Sequence, residues 1–100
     1  FLQTPDILID TFRHLVVVRG DPVDLTSTEF DILTHLARNQ NRVISCSEIV
    51  SEIRGYSVDE MDARNLLRSH IHRLRQKVEL DLQNPELICT VRGEGYMLAT

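Results

Sequence analysis

Apolar positions change their period along the chain, and the changes mark out its elements. In the first quarter they sit in short β-branched and aromatic runs. Ile7–Asp10 and Phe12–Arg19 are separated by Asp10-Thr11, and Arg19-Gly20-Asp21-Pro22 supplies turn chemistry before Val23–Leu25. Such runs predict a small antiparallel meander. From Leu25 the spacing becomes helical. Thr26-Ser27-Thr28-Glu29 reads as a capping box, opening a helix to about Arg38 with Phe30, Leu33 and Ala37 on one face and Ile32 and Leu36 beside it. Asn39-Gln40-Asn41 ends that helix. Ser45-Cys46-Ser47-Glu48 reads as a second capping box, followed by a shorter helix with Ile49, Val50 and Ile53 inward and Gly55 as its stop. A third helix is predicted from about Met61 to Leu80. At ~100° per residue, Leu67, Ile71, Leu74 and Val78 form its apolar stripe, and Asn65, Arg68, Ser69, His72, Arg73 and Gln76 spread over the opposite side. Asn84-Pro85 breaks the chain. Leu87–Val91 and Tyr96–Ala99 then form a hairpin across Arg92-Gly93-Glu94-Gly95. Sheet, three helices and terminal hairpin define an α+β fold, a winged helix-turn-helix, in one domain over residues 1–100.

Charge changes the picture through its distribution. The net charge of −4 and the composition are ordinary for a globular domain. Residues 1–62 carry 5 basic and 11 acidic side chains, whereas residues 63–100 carry 6 basic and 4 acidic ones. Between Ala63 and Val78 stand Arg64, Arg68, Arg73, Arg75 and Lys77 with no acidic residue. Local potential on one face governs phosphate attraction, while an acidic remainder limits nonspecific binding. A basic helix that fits a major groove, followed by a loop tipped by Arg92, is a layout for reading duplex DNA.

The candidate contacts divide by chemistry. Arg68 can pair bidentately with guanine and Asn65 with adenine, while Ser69 permits close approach. His72, Arg73 and Gln76 lie where phosphate contact is the simpler expectation. Arg64, Arg75 and Lys77 sit nearer the flanks. Arg92, held outward beside Gly93, suits a narrow A·T-rich minor groove. Tyr96 and Thr26 read as structural. The competing reading is a winged-helix module that uses the same face to hold a protein.

Other chemistry finds no support in the pattern. His70 and His72 point ~200° apart on a helix and cannot share a metal. No nucleophile elbow, phosphate loop or carboxylate pair is present, so neither catalysis nor a cofactor is expected. Cys46 and Cys89 lack ligand spacing and read as buried reduced thiols, consistent with a cytoplasmic setting. No apolar run approaches the ~18 residues that span a bilayer. The chain does not open on Met and reads as a piece of something longer.

Several stretches carry a resemblance. They are Leu25-Thr26-x-Thr28-Glu29-Phe30, Arg42-Val43-Ile44-Ser45, Gly55-Tyr56, His70-Ile71-His72-Arg73-Leu74-Arg75-x-Lys77, Asn84-Pro85 and Thr90-Val91-Arg92-Gly93-x-Gly95-Tyr96. In order and spacing they resemble the DNA-binding effector domain of OmpR/PhoB-type bacterial response regulators, over essentially the whole chain. The resemblance implies a four-stranded antiparallel N-terminal sheet, three helices and a C-terminal hairpin wing. It implies that the third helix reads the major groove and that the wing arginine, Arg92, enters the minor groove. It also implies that the loop holding Asp59, Glu60 and Asp62 contacts RNA polymerase, while the residues alone read equally as a solvated approach to the helix. An upstream receiver domain, phosphorylated under a sensor kinase and absent from this chain, would control pairing of two copies on tandem half-sites. Three positions depart from the pattern. Arg54 replaces a customary aromatic, Asn65 and Arg68 replace an Arg-x-x-Asp pair, and His72-Arg73 replaces Arg-Arg.

Overall fold

A computed structural model describes all 100 residues, Phe1–Thr100. Four short strands come first: β1 (Leu2–Gln3), β2 (Ile7–Asp10), β3 (Leu15–Val18) and β4 (Asp21–Val23), in sheet order β1-β2-β3-β4 with every pair antiparallel. Three helices follow, α1 (Ser27–Arg38), α2 (Cys46–Arg54) and α3 (Glu60–Val78), then the hairpin β5 (Ile88–Val91) and β6 (Gly95–Leu98). The meander has the strand alternation expected of a half-buried sheet. Ile7, Ile9, Val16 and Val18 are buried, while Leu8, Val17 and Pro22, opposite one another in register, lie on the outer face. Pro22 sits on an edge strand, where its missing N–H costs no ladder bond.

The sequence expectation of a strand from Phe12 needs correcting. Asp10 Oδ1 accepts from the N–H groups of Phe12 and Arg13 at 3.0 Å each, which makes a turn of that stretch and delays β3 to Leu15. Phe12 is left 98% exposed, and His14, at φ 54°, stacks on Phe30 with ring centroids 4.4 Å apart. The expected strand at Val23–Leu25 lies instead at Asp21–Val23.

The inward faces of the helices agree with the periodicity. Phe30, Ile32, Leu33, Leu36 and Ala37 from α1, Ile49 and Val50 from α2, and Ala63, Leu67, Ile71, Leu74 and Val78 from α3 share one core with the sheet and the hairpin. Burying each large aliphatic side chain contributes about 1.5–3 kcal/mol before ordering costs. Helix α3 stops two residues short of Leu80. Glu79 leaves it at ψ 144° and its carboxylate accepts from the N–H groups of Glu86, Leu87 and Ile88. Arg19, at the β3–β4 turn, donates to the Val78 carbonyl at 2.9 Å, placing a cation on the negative end of the α3 dipole. The hairpin is fastened to the helical body by an isolated bridge between Ile44 and Tyr96, with hydrogen bonds of 2.8 and 3.0 Å.

Candidate nucleic-acid interface

Helix α3 is aimed by its two ends and one buried stripe. At its start Asp59 is the N-cap, accepting from Asp62 N–H at 2.8 Å. The carboxylate of Glu60 turns away from solvent and takes the Cys46 and Ser47 N–H groups at 3.0 and 2.9 Å. These are the first free donors of α2, so a residue of α3 caps its neighbour. The Glu60 carboxyl is opposed by burial, which would raise its pKa, but these hydrogen bonds prevail and hold it low. Two sequence expectations change here. Ser45 does accept from Glu48 N–H at 3.1 Å, but Glu48 does not complete a capping box. It faces His35 at 3.2 Å and Arg42 at 4.0 Å. Glu60, expected on an outward polymerase-contact loop, is committed to α2, which leaves Asp59 and Asp62 as the exposed acids.

With Ala63, Leu67, Ile71, Leu74 and Val78 buried, helical geometry brings Asn65, Ser69, His72 and Gln76 to the opposite face. All four are exposed, as are Arg64, Arg68 and Arg73. The side chains of Arg68, Asn65, Ser69, His72 and Gln76 make no hydrogen bond or ion pair within the domain, so their polar groups are available to a ligand. Arg64 lines a small cleft of about 60 Å³ with Cys46, Thr90 and the wing glycines.

The remaining α3 cations are engaged. Glu29 in α1 is wholly buried, and one of its carboxylate oxygens accepts from Lys77 Nζ at 2.6 Å and from Thr26 N–H at 3.0 Å. With Thr26 Oγ1 accepting from Glu29 N–H, this completes the capping box read from sequence. The other oxygen has no hydrogen-bond partner but lies 3.9 Å from Arg73 Nε. Burial pushes the Glu29 carboxyl toward a higher pKa, but Lys77 and the Thr26 contacts outweigh it and hold the pKa below the usual carboxylate value. Arg73 Nη2 also lies 3.3 Å from His70 Nδ1. Partial burial and the charges of Arg73 and Arg54 lower the His70 pKa, which favours the neutral ring. On the other flank Arg75 donates to the Ile88 carbonyl and to Thr90 Oγ1.

The wing is set by its glycines. Gly93 has φ 76°, and Gly95, at φ 145°, lies so close to Ile44 that a Cβ would stand 2.0 Å from the Ile44 oxygen. Glu94 N–H closes the turn onto the Val91 carbonyl at 2.9 Å, leaving Arg92 exposed at the tip without an ion pair. Tyr96 is buried, as its pattern implied. Cys46 is buried, and burial together with the Glu60 charge pushes its thiol up to about 11. Cys89 is only half-buried, against the expectation for both cysteines, because it pairs with the half-buried Met97 on the hairpin face opposite to the buried Ile88–Leu98 pair.

Sequence reasoning identified the exposed face but missed the links beneath it. Glu29 was visible as a cap residue, yet its partners Lys77 and Arg73 lie more than forty positions away. The contacts of Arg75 with the hairpin left no local signal either.

A sheet, three helices, a polar helix face and an arginine-tipped hairpin define a winged-helix DNA-binding domain. Residues 20–98 match the family described as transcriptional regulatory protein, C terminal, and the chain belongs to it, as an OmpR/PhoB-type domain. That is a family of DNA-binding domains concerned with transcription regulation and not a family of enzymes. The chain is 38% identical over 97 residues to the sensory transduction protein RegX3 of Mycobacterium tuberculosis, covering 97% of this chain and 42% of that protein. It is 40% identical over 95 residues to the DNA-binding response regulator MtrA of Mycolicibacterium smegmatis, covering 95% of this chain and 41% of that one. It thus spans about two fifths of the length of these relatives. The fold is similar to the Klebsiella pneumoniae RstA DNA-binding domain, solved in complex with its RstA box, with a TM-score of 0.86 and 31% identity, covering 97% of this chain and 94% of that one. No helix is long and apolar enough to cross a membrane.

Proposed function

We propose that this domain binds duplex DNA sequence-specifically, as the output module of a phosphorylation-controlled transcription regulator. The observation that carries the reading is the uncommitted polar face of α3, Asn65, Arg68, Ser69, His72 and Gln76, alongside a wing whose one basic side chain, Arg92, is free. In this reading Arg68 and Asn65 discriminate bases in the major groove, Ser69 lets the helix approach closely, and Arg64, His72, Arg73 and Gln76 hold phosphates. Arg92 grips a narrow minor groove.

The relatives are more than twice as long as the region matched, which supports a further domain in the whole protein. A receiver acted on by a sensor kinase is the reading the family favours. Two copies on half-sites about one helical turn apart would gain affinity by linkage. Asp59, the N-cap of α3, and Asp62, in its first turn, are exposed and offer an acidic surface to RNA polymerase. A cytoplasmic setting follows from this role.

Duplex titration over a range of salt tests the reading. The expected result is a linear fall of log K with log salt, each phosphate contact adding about −0.9 to the slope. Binding that ignores salt, or none at all, would favour a module that holds a protein on the same face.

A further inference from the structure

Among the basic side chains of α3, only Arg75 reaches the wing through hydrogen bonds. Its Nε and Nη2 donate to the Ile88 carbonyl at 3.0 and 2.8 Å, and Nη2 donates to Thr90 Oγ1 at 2.7 Å. Its guanidinium carbon also stands 5.7 Å from the centre of the Tyr96 ring, on the partner strand. Just past the end of α3, its C-cap Glu79 takes the Ile88 N–H at 2.7 Å. Both backbone polar groups of Ile88 are therefore held by side chains rooted at α3. The helix stands in for a neighbouring strand along the outer edge of β5, an edge that would otherwise be open.

We infer that Arg75 is a positioning residue that fixes the wing to the reading helix and thereby sets where Arg92 meets the duplex. A two-stranded hairpin is marginal by itself. Its base here is held by the Ile44–Tyr96 bridge on β6 and by Arg75 and Glu79 on β5, so each strand has its own anchor. The fork matters more than the charge. Three donors of one planar group meet two acceptors two residues apart on one strand, which an ammonium cannot reproduce. With those donors turned inward, Arg75 adds rigidity between the two reading elements in place of a phosphate contact.

The inference rests on the proposed reading of DNA by helix and wing, and the test separates the two. Duplexes randomised at the wing subsite and, separately, at the helix subsite are selected with the wild-type domain, Arg92→Ala, Arg75→Lys, the double variant and Thr90→Val. Arg92→Ala should erase the A·T preference at the wing subsite; if that preference persists, the wing reading and the inference built on it both fall. Arg75→Lys keeps the charge and should weaken the same preference roughly two- to tenfold, with base preferences at the helix subsite unchanged. The double variant should behave as Arg92→Ala alone. Thr90→Val removes one acceptor at an exposed site and should shift the wing preference in the same direction by less. If Arg92→Ala acts but folded Thr90→Val and Arg75→Lys retain the wild-type wing preference, or if Arg75→Lys weakens all sequences equally, the positioning role is wrong and the wing reading stands.

Discussion

The two flanks of α3 are both basic, yet they use their cations in opposite ways. On the side facing α1, Lys77 and Arg73 converge on the buried carboxylate of Glu29, one by a 2.6 Å hydrogen bond and the other at 3.9 Å. On the side facing the wing, Arg75 is engaged by neutral acceptors, while Arg64 and Arg68 remain exposed and form no ion pair. The α1 flank is thus partly neutralised inside the domain and stabilises it. The wing flank has no carboxylate partner, and Arg64 and Arg68 keep their charge for a ligand. Basic residues counted along a helix therefore overstate what DNA meets, and the surplus lies nearer the hairpin than the helical body.

The strongest way to break the wing side is through its backbone. Gly95→Ala drives a Cβ to 2.0 Å from the Ile44 carbonyl at a φ that side chains rarely adopt. Urea denaturation should show a loss of about 3 kcal/mol or more, or no folded domain. A stability near wild type would mean that the close approach of wing and helical body is not essential.

On the α1 side the corresponding break is electrostatic. Glu29→Ala leaves Lys77 and Arg73, one turn apart on the same face of α3, without their shared counter-charge and removes half of the capping box. Lys77 is a third exposed, so water offsets part of the cost, and a loss of about 2–3 kcal/mol is expected. The same carboxylate gives the acid limb its sign. Its folded pKa is lowered from an ordinary 4.5, so its contribution is present above that pH and is lost as pH falls through the folded value. Stability of the wild-type domain should therefore drop between neutral pH and about pH 3 by more than that of Glu29→Gln. Equal drops in the two proteins would remove Glu29 from the account.

The smallest effect sharpens the contrast between holding and reading. Arg73→Ala should weaken binding by about 1 kcal/mol on every duplex and reduce the salt slope by about one. A loss confined to one base position would move Arg73 from phosphate to base contact.

What the sequence made legible follows from range. The apolar stripe of α3, the cap at Thr26 and the turn at Gly93 depend on residues within a few positions of one another, and each reads directly, whereas the demand for glycine at 95 comes from Ile44, far away in sequence. The tasks of Glu60, Glu29 and Arg75 depend on partners 13 to 48 positions distant, which no local pattern encodes. Glu60 shows the consequence. An acid before a basic helix reads equally as a surface charge or a cap, and only the placement of α2 beside α3 decides for the cap. Asp10 is the same lesson on a shorter scale, since its turn delays to Leu15 a strand that hydropathy alone would have begun at Phe12.

The most direct test of the central claim is selection from a random duplex library, sequenced for the wild-type domain and for Arg68→Ala at two salt concentrations. The account predicts an enriched motif arranged as tandem half-sites. With Arg68→Ala, discrimination at one position of each half-site should fall by about 1–3 kcal/mol while the rest of the motif is kept. A motif unchanged by Arg68→Ala, or no enrichment by the wild-type domain at either salt, would contradict it.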